Sequence, residues 1–117
     1  MIEYKETLVV SIVVPTIENI NIRHIIQKAV EENAIIIDVR SRQAFNSGHI
    51  PMAMSLPFEE IQSGRVRIPK NRTLIVYCEH GVNSIKAARI LAEQGYRVIN
   101  TVGGIKQYNK DLTISRQ

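Results

Sequence analysis

Cys78 is the only cysteine of the chain, and its neighbours have the order that a nucleophile needs. The apolar run Leu74-Ile75-Val76-Tyr77 reads as a strand that carries Cys78 to its end, and Glu79-His80-Gly81-Val82-Asn83-Ser84 then loops into a helix. Gly81 lets the loop backbone curl, so that amides of the loop and of the helix beginning near Ser84 face one centre. Unpaired N–H groups at a helix start favour negative charge at such a centre. A sulfur held there is favoured as the nucleophilic thiolate, whereas a thiol packed in a core is inert. The expected chemistry is covalent catalysis on Cys78, with Glu79, His80, Gly81, Val82, Asn83 and Ser84 as the substrate-binding loop.

The remaining polar residues support this centre or have ordinary structural roles. Asp38 and Arg40 stand at the end of a second apolar run near the site and read either as participants in the chemistry or, the commoner role of such pairs, as a charge network that anchors the turn. His80 reads either as a proton relay or donor to a bound anion, or as an exposed loop residue. Asn83 or Ser84 is expected to cap the helix. Lys86 lies early in that helix and reads as a solvated lysine, although it is placed to offer a positive charge. His49 is expected to hydrogen-bond the backbone and fix the chain reversal before Pro51. His24, His49 and His80 are far apart and accompany a single cysteine, so no zinc-site spacing exists and no metal is expected. Gly103-Gly104 lacks the following lysine and repeated glycines of a nucleotide cradle, and no cofactor is expected.

The elements that must position these residues follow from pattern. At 117 residues, with 44% apolar and 22% charged, the chain suits one domain with a single core. Residues 1–19 read as an N-terminal extension in which Leu8–Val14 is an extra edge strand broken by Pro15, and residues 20–117 as the domain proper. β-Branched runs alternate with helical spacing, the mark of a parallel sheet covered by helices. Ile20-Asn21-Ile22 reads as a strand, followed by a helix from Arg23 to Glu32 with Ile25, Ile26, Ala29 and Val30 on one face, stopped by Asn33. Ala34–Val39 is a central strand, and Ser41 caps a brief helix reaching Phe45. Met54-Ser55-Leu56 is a short strand, Phe58–Gln62 one or two helical turns, and Leu74–Tyr77 the strand before Cys78. A helix over Ser84–Gln94 closes at Gly95, Val98–Val102 is the last strand, and Ile105–Asn109 starts a last helix.

With those segments in place, the chain resembles the single-domain rhodanese family of sulfurtransferases from about Ile20 to Tyr108. Ile37-Asp38-Val39-Arg40 is similar to the family's strand-ending Asp-Val-Arg, and Phe45-Asn46-Ser47-Gly48-His49-Ile50-Pro51 to its Gly-His-Ile-Pro segment. Cys78–Ser84 occupies the active-site loop, and Val102-Gly103-Gly104-Ile105 through Tyr108 resembles the Gly-Gly turn with its terminal aromatic. The resemblance implies a three-layer α/β/α fold with a five-stranded, mainly parallel sheet and the nucleophile at a strand's carboxyl end. It also implies that Cys78 takes sulfane sulfur from a donor such as thiosulfate or a protein persulfide, and passes it to a thiol or cyanide. A thioredoxin-like reductant is a further partner of that chemistry.

Departures from the family pattern shape the expected function. The family commonly has Arg at the position of Asn83, where a guanidinium binds an anionic donor through two hydrogen bonds. Glu79 adds negative charge at the mouth, so thiosulfate is expected to be a poor donor. Ala44 and Met52, where the family often has Glu and Gly, read as scaffold changes. The alternative function is a catalytically weak rhodanese-fold binding or regulatory module. A cysteine phosphatase is disfavoured, because neither the fifth nor the sixth residue after Cys78 is arginine. The net charge of +4 is spread along the chain without interleaved aromatics, which argues against nucleic acid. No run approaches the about 20 apolar residues of a membrane span, and a lone thiol suits the cytoplasm.

Overall fold

A computed structural model describes residues 16–115 of the chain. The strand expected over Leu8–Val14 lies outside them. Five parallel strands form one sheet: β1 (Glu18–Asn21), β2 (Ile35–Asp38), β3 (Met54–Ser55), β4 (Thr73–Tyr77) and β5 (Arg97–Val102), in the spatial order β1-β5-β4-β2-β3. The central strand is β4, paired with β5 from Thr73↔Arg97 to Val76↔Asn100 and with β2 from Ile35↔Leu74 to Asp38↔Tyr77. A parallel sheet needs crossover connections that cover both faces, and Leu74, Ile75, Val76 and Tyr77 are accordingly fully buried.

Strand alternation decides which face receives the cysteine. Leu74, Val76 and Cys78 join the cluster beneath α3 (Phe58–Gln62) and α4 (Val82–Glu93), with Ile61, Ala87, Ala88 and Leu91. Ile75 and Tyr77 face the opposite cluster, with Ile25 and Ala29 of α1 (Ile25–Glu32). The result is the expected three-layer arrangement, with every strand pair parallel. Because all strands run the same way, their carboxyl ends share one rim, and Cys78 lies on it under the first turn of α4.

Local chemistry sets the element ends, and several differ from the sequence reading. The first strand covers Glu18–Asn21, and Ile22 has turned into a 3-10 segment (Ile22–His24) where it is fully buried. Asn21 causes the turn, since its side-chain oxygen accepts the Arg23 amide at 2.9 Å. In α1 the buried wedge is Ile25 and Ala29, whereas Val30 is 69% exposed, one helical step around from that wedge. Asn33 ends the helix in the left-handed region at φ 50°. Ser41 caps α2 (Arg42–Ser47), its Oγ accepting the Ala44 amide at 3.1 Å, and the helix runs two residues past Phe45. The last helix is a single 3-10 turn over Ile105–Gln107.

Met52 carries a conformational cost. It sits at φ 74° with its side chain 63% exposed, so little packing offsets a backbone state that costs an L-residue about 1–2 kcal/mol. Glycine, the residue that the family resemblance expects there, has no such penalty. Met52→Gly should therefore raise unfolding free energy by about 1 kcal/mol, because the larger unfolded-state freedom of glycine cancels only part of the relief. Urea unfolding at neutral pH measures the change.

Candidate active site

The sulfur of Cys78 sits at the foot of a loop whose amides turn towards it. Gly81 N–H donates to Sγ at 3.0 Å and Ser84 N–H at 3.3 Å, and the thiol is unpaired with any other cysteine. Gly81 adopts φ 94°, a left-handed state that aims its own amide inward. Cys78 is only 3% exposed, so the loop encloses the sulfur on most sides while presenting donors to it. Main-chain N–H groups converging on one atom at a helix start favour negative charge on that atom.

The cap of α4 is not the expected one. The helix begins at Val82, with Gly81 as its N-cap, and neither Asn83 nor Ser84 caps it. Asn83 is exposed, while Ser84 is buried and its hydroxyl donates to the Gly81 carbonyl at 3.4 Å. Ser84 thus serves the site through its amide, and its side chain braces the loop. Val82, His80 and Lys86 are exposed, and no side-chain hydrogen bond of His80 or Lys86 forms among the described residues.

A second glycine turn locks the loop from below. Ile105 N–H donates to the Cys78 carbonyl at 2.9 Å, which fixes the peptide after Cys78. At Gly104, φ 69°, an added Cβ would lie 2.7 Å from His80 Cα and closer still to the Glu79 carbonyl. Only glycine permits that approach. The sequence marked Gly103-Gly104 as a turn, but nothing in its local pattern tells which other backbone the turn must touch.

Asp38 and Arg40 form the expected charge network, and it is larger than the pair alone. The Asp38 carboxylate is fully buried and accepts the Arg40 amide at 2.9 Å, Arg40 Nη2 at 2.8 Å and the Tyr77 hydroxyl at 2.6 Å. That hydroxyl in turn accepts the Ile50 amide at 3.1 Å, so the network ties the ends of β2 and β4 to the Gly48-His49-Ile50-Pro51 segment. Arg40 also donates to the Gly48 carbonyl at 2.7 Å, and its Nη1 reaches Glu79 at 3.3 Å. His49 bonds the Phe45 carbonyl through Nδ1 at 2.9 Å and stacks on the Phe45 ring, as its chain-reversing role requires. Lys106 approaches Glu79 at 3.6 Å from the other side, a contact that sequence distance concealed.

Comparison with known proteins agrees with this geometry. The family model for the rhodanese-like domain matches residues 23–111. A sulfurtransferase of Allochromatium vinosum is 39% identical over 75 residues, covering 63% of this chain and 70% of that protein. The thiosulfate sulfurtransferase GlpE of Shewanella oneidensis is 30% identical over 87 residues, covering 74% of this chain and 86% of that one. A crystal structure of a rhodanese homologue from the extremely thermophilic bacterium Thermus thermophilus matches with a TM-score of 0.64 at 30% identity, covering 76% of this chain and 98% of that chain. The chain belongs to the rhodanese-like domain family. Among the described residues, no helix is long and apolar enough to cross a membrane.

Two outcomes follow from the contacts around the loop. Gly104→Ala must push the Glu79-His80 backbone away from the 103–104 turn; alkylation of Cys78 by iodoacetamide at neutral pH should slow by about tenfold or more while the circular dichroism stays that of a folded α/β protein. Burial first, and then the Asp38 carboxylate, push the Tyr77 phenol well above the ordinary tyrosine range. A raised folded-state value gives stability that is complete below about pH 10 and lost as pH rises beyond it. Tyr77→Phe should cost about 1–3 kcal/mol at neutral pH, by removing a partner of Asp38 and of the Ile50 amide. It should also make the alkaline decline in stability shallower, which urea unfolding at about pH 7 and about pH 11 will measure.

Proposed function

We propose that this domain is a sulfurtransferase that carries sulfane sulfur as a persulfide on Cys78. One observation carries the reading: Cys78 Sγ accepts hydrogen bonds from two main-chain amides at the start of α4. Those donors suit an anionic sulfur, as thiolate before transfer and as persulfide after it. Relatives named as sulfurtransferases support the same chemistry.

With thiosulfate as donor, the Cys78 thiolate attacks the outer sulfur. A new S–S bond forms as the bond to the sulfite sulfur breaks, and sulfite leaves with that electron pair. With a protein persulfide as donor, the partner cysteine leaves as its thiolate in the same way. The acceptor, cyanide or a thiol in its thiolate form, then attacks the terminal sulfur, and Cys78 departs as thiolate. Each step is a displacement in which the leaving atom keeps the bonding pair. A thioredoxin-like dithiol serves as acceptor by the same attack and then releases sulfide as its disulfide closes. The cytoplasm, where thiols stay reduced, suits such a carrier.

A second reading, a rhodanese-fold binding or regulatory module with weak turnover, is favoured by the exposed, neutral Asn83 where an anion-binding arginine is usual. Mass spectrometry after incubation with thiosulfate or polysulfide separates the two. The sulfurtransferase reading expects one added sulfur on the intact chain, discharged by cyanide and absent in Cys78→Ala; no adduct from any donor would reject it. Asn83→Arg should increase thiosulfate turnover about tenfold or more, since it supplies a charge-assisted hydrogen bond to the donor. No gain would favour the module.

A further inference from the structure

The acidic residue that follows the nucleophile is not isolated at the mouth of the site. One oxygen of the Glu79 carboxylate meets Arg40 Nη1 at 3.3 Å, and the other meets Lys106 Nζ at 3.6 Å. The backbone enforces this arrangement, because the approach of Gly104 to the Glu79 carbonyl sets the following 3-10 turn, and with it Lys106, beside Glu79. The two cations differ in what else they hold. Arg40 has a side chain only 10% exposed and spends its other donors on Asp38 and the Gly48 carbonyl. Lys106 is 63% exposed, and Glu79 is its one ion-pair partner among the described residues. Glu79 itself is 40% exposed, so it can swing into solvent and release both.

Together these side chains line an open groove of about 410 Å³ whose floor and walls include Ala44, Gly48 and Leu112. The loop has no arginine at Asn83 to attract an anion, and the cations nearest to Glu79 are neutralised by it. Cys78 is not part of that lining, so the charge there acts on a donor at the sulfur through space: beside the Glu79 carboxylate a small dianion meets more repulsion than a donor that brings its sulfur on a singly charged persulfide. Building on the sulfurtransfer reading above, we propose that Glu79 is the donor-specificity residue of this site: by occupying Arg40 and Lys106 it disfavours small dianionic donors such as thiosulfate relative to persulfide donors. Asn83 leaves the anion-binding charge to Lys106, and Glu79 holds that charge in check.

The test compares thiosulfate with cysteine persulfide as donor, using the wild-type chain, Glu79→Gln, and the double variant Glu79→Gln with Lys106→Gln. Neutralising Glu79 should lower KM for thiosulfate about tenfold, with a smaller change in kcat, and the gain should shrink as salt screens it. Loading from cysteine persulfide should change less than about threefold, roughly the effect of one charge fewer on the donor. Adding Lys106→Gln should return KM for thiosulfate towards its wild-type value. An unchanged thiosulfate KM in Glu79→Gln overturns the inference, and so does an equal change for both donors, which is what a merely structural loop contact would give. In either case wild-type loading by cysteine persulfide leaves the sulfurtransfer reading standing. If neither donor loads the wild-type Cys78, both that reading and this inference fall.

Discussion

The backbone of Gly104 lies against the Glu79 carbonyl and His80 Cα with no room for a side chain, and the organisation of the site depends on that approach. It brings the Ile105 amide onto the Cys78 carbonyl and holds the loop in the curl that turns Gly81 and Ser84 N–H towards sulfur. A loop of this kind is not stabilised by its own side chains. His80, Val82 and Asn83 are exposed, and of its other members only Ser84 is fully buried. Its shape is imposed from outside, by a glycine turn at the end of β5 and by a helix that begins at Val82. Preorganised amides of this sort need no rearrangement when charge appears on the sulfur.

The charged groups around the loop divide into a scaffold and a mouth. The scaffold is Asp38, Arg40 and Tyr77, a buried network that joins two strand ends to the Gly48–Pro51 segment through short hydrogen bonds. A buried carboxylate survives only when its lone pairs are occupied, and Asp38 accepts from four donors: the Arg40 amide, Arg40 Nε and Nη2, and the Tyr77 hydroxyl. The mouth is Glu79 and Lys106, both accessible to solvent. Arg40 belongs to both, which is how a change in the charge at the mouth is felt by a residue fixed in the scaffold.

Much of this was legible in the chain because local patterns carry it. The alternation of β-branched runs with helical spacing identifies the parallel sheet, Ser41 and Asn33 mark helix ends by their own side-chain and backbone preferences, and the strand-loop-helix order around Cys78 singles out the sulfur that the loop amides face. What stayed hidden depends on contacts between distant segments. α4 begins at Val82, two residues before the Ser84 start that the pattern predicts, because a helix capped by a glycine has no polar side-chain signal. Val30 shares the predicted apolar stripe of α1 and yet is exposed, because periodicity gives a stripe without saying where its edge falls. The pairing of Glu79 with Lys106 and the role of Gly104 arise from a crossing of two backbones, and no local pattern encodes which turn lies beneath which loop.

The two main-chain hydrogen bonds to the Cys78 sulfur organise the site, and amide proton resonances report them most directly. In nitrogen-edited spectra recorded as the thiol ionises, the Gly81 and Ser84 amide protons should move downfield together, in step with the Cys78 Cβ resonance and further than any amide outside the loop. If the Cβ resonance records ionisation while those two amide protons stay where they were, the hydrogen bonds to sulfur do not form in solution and the account of this site is wrong.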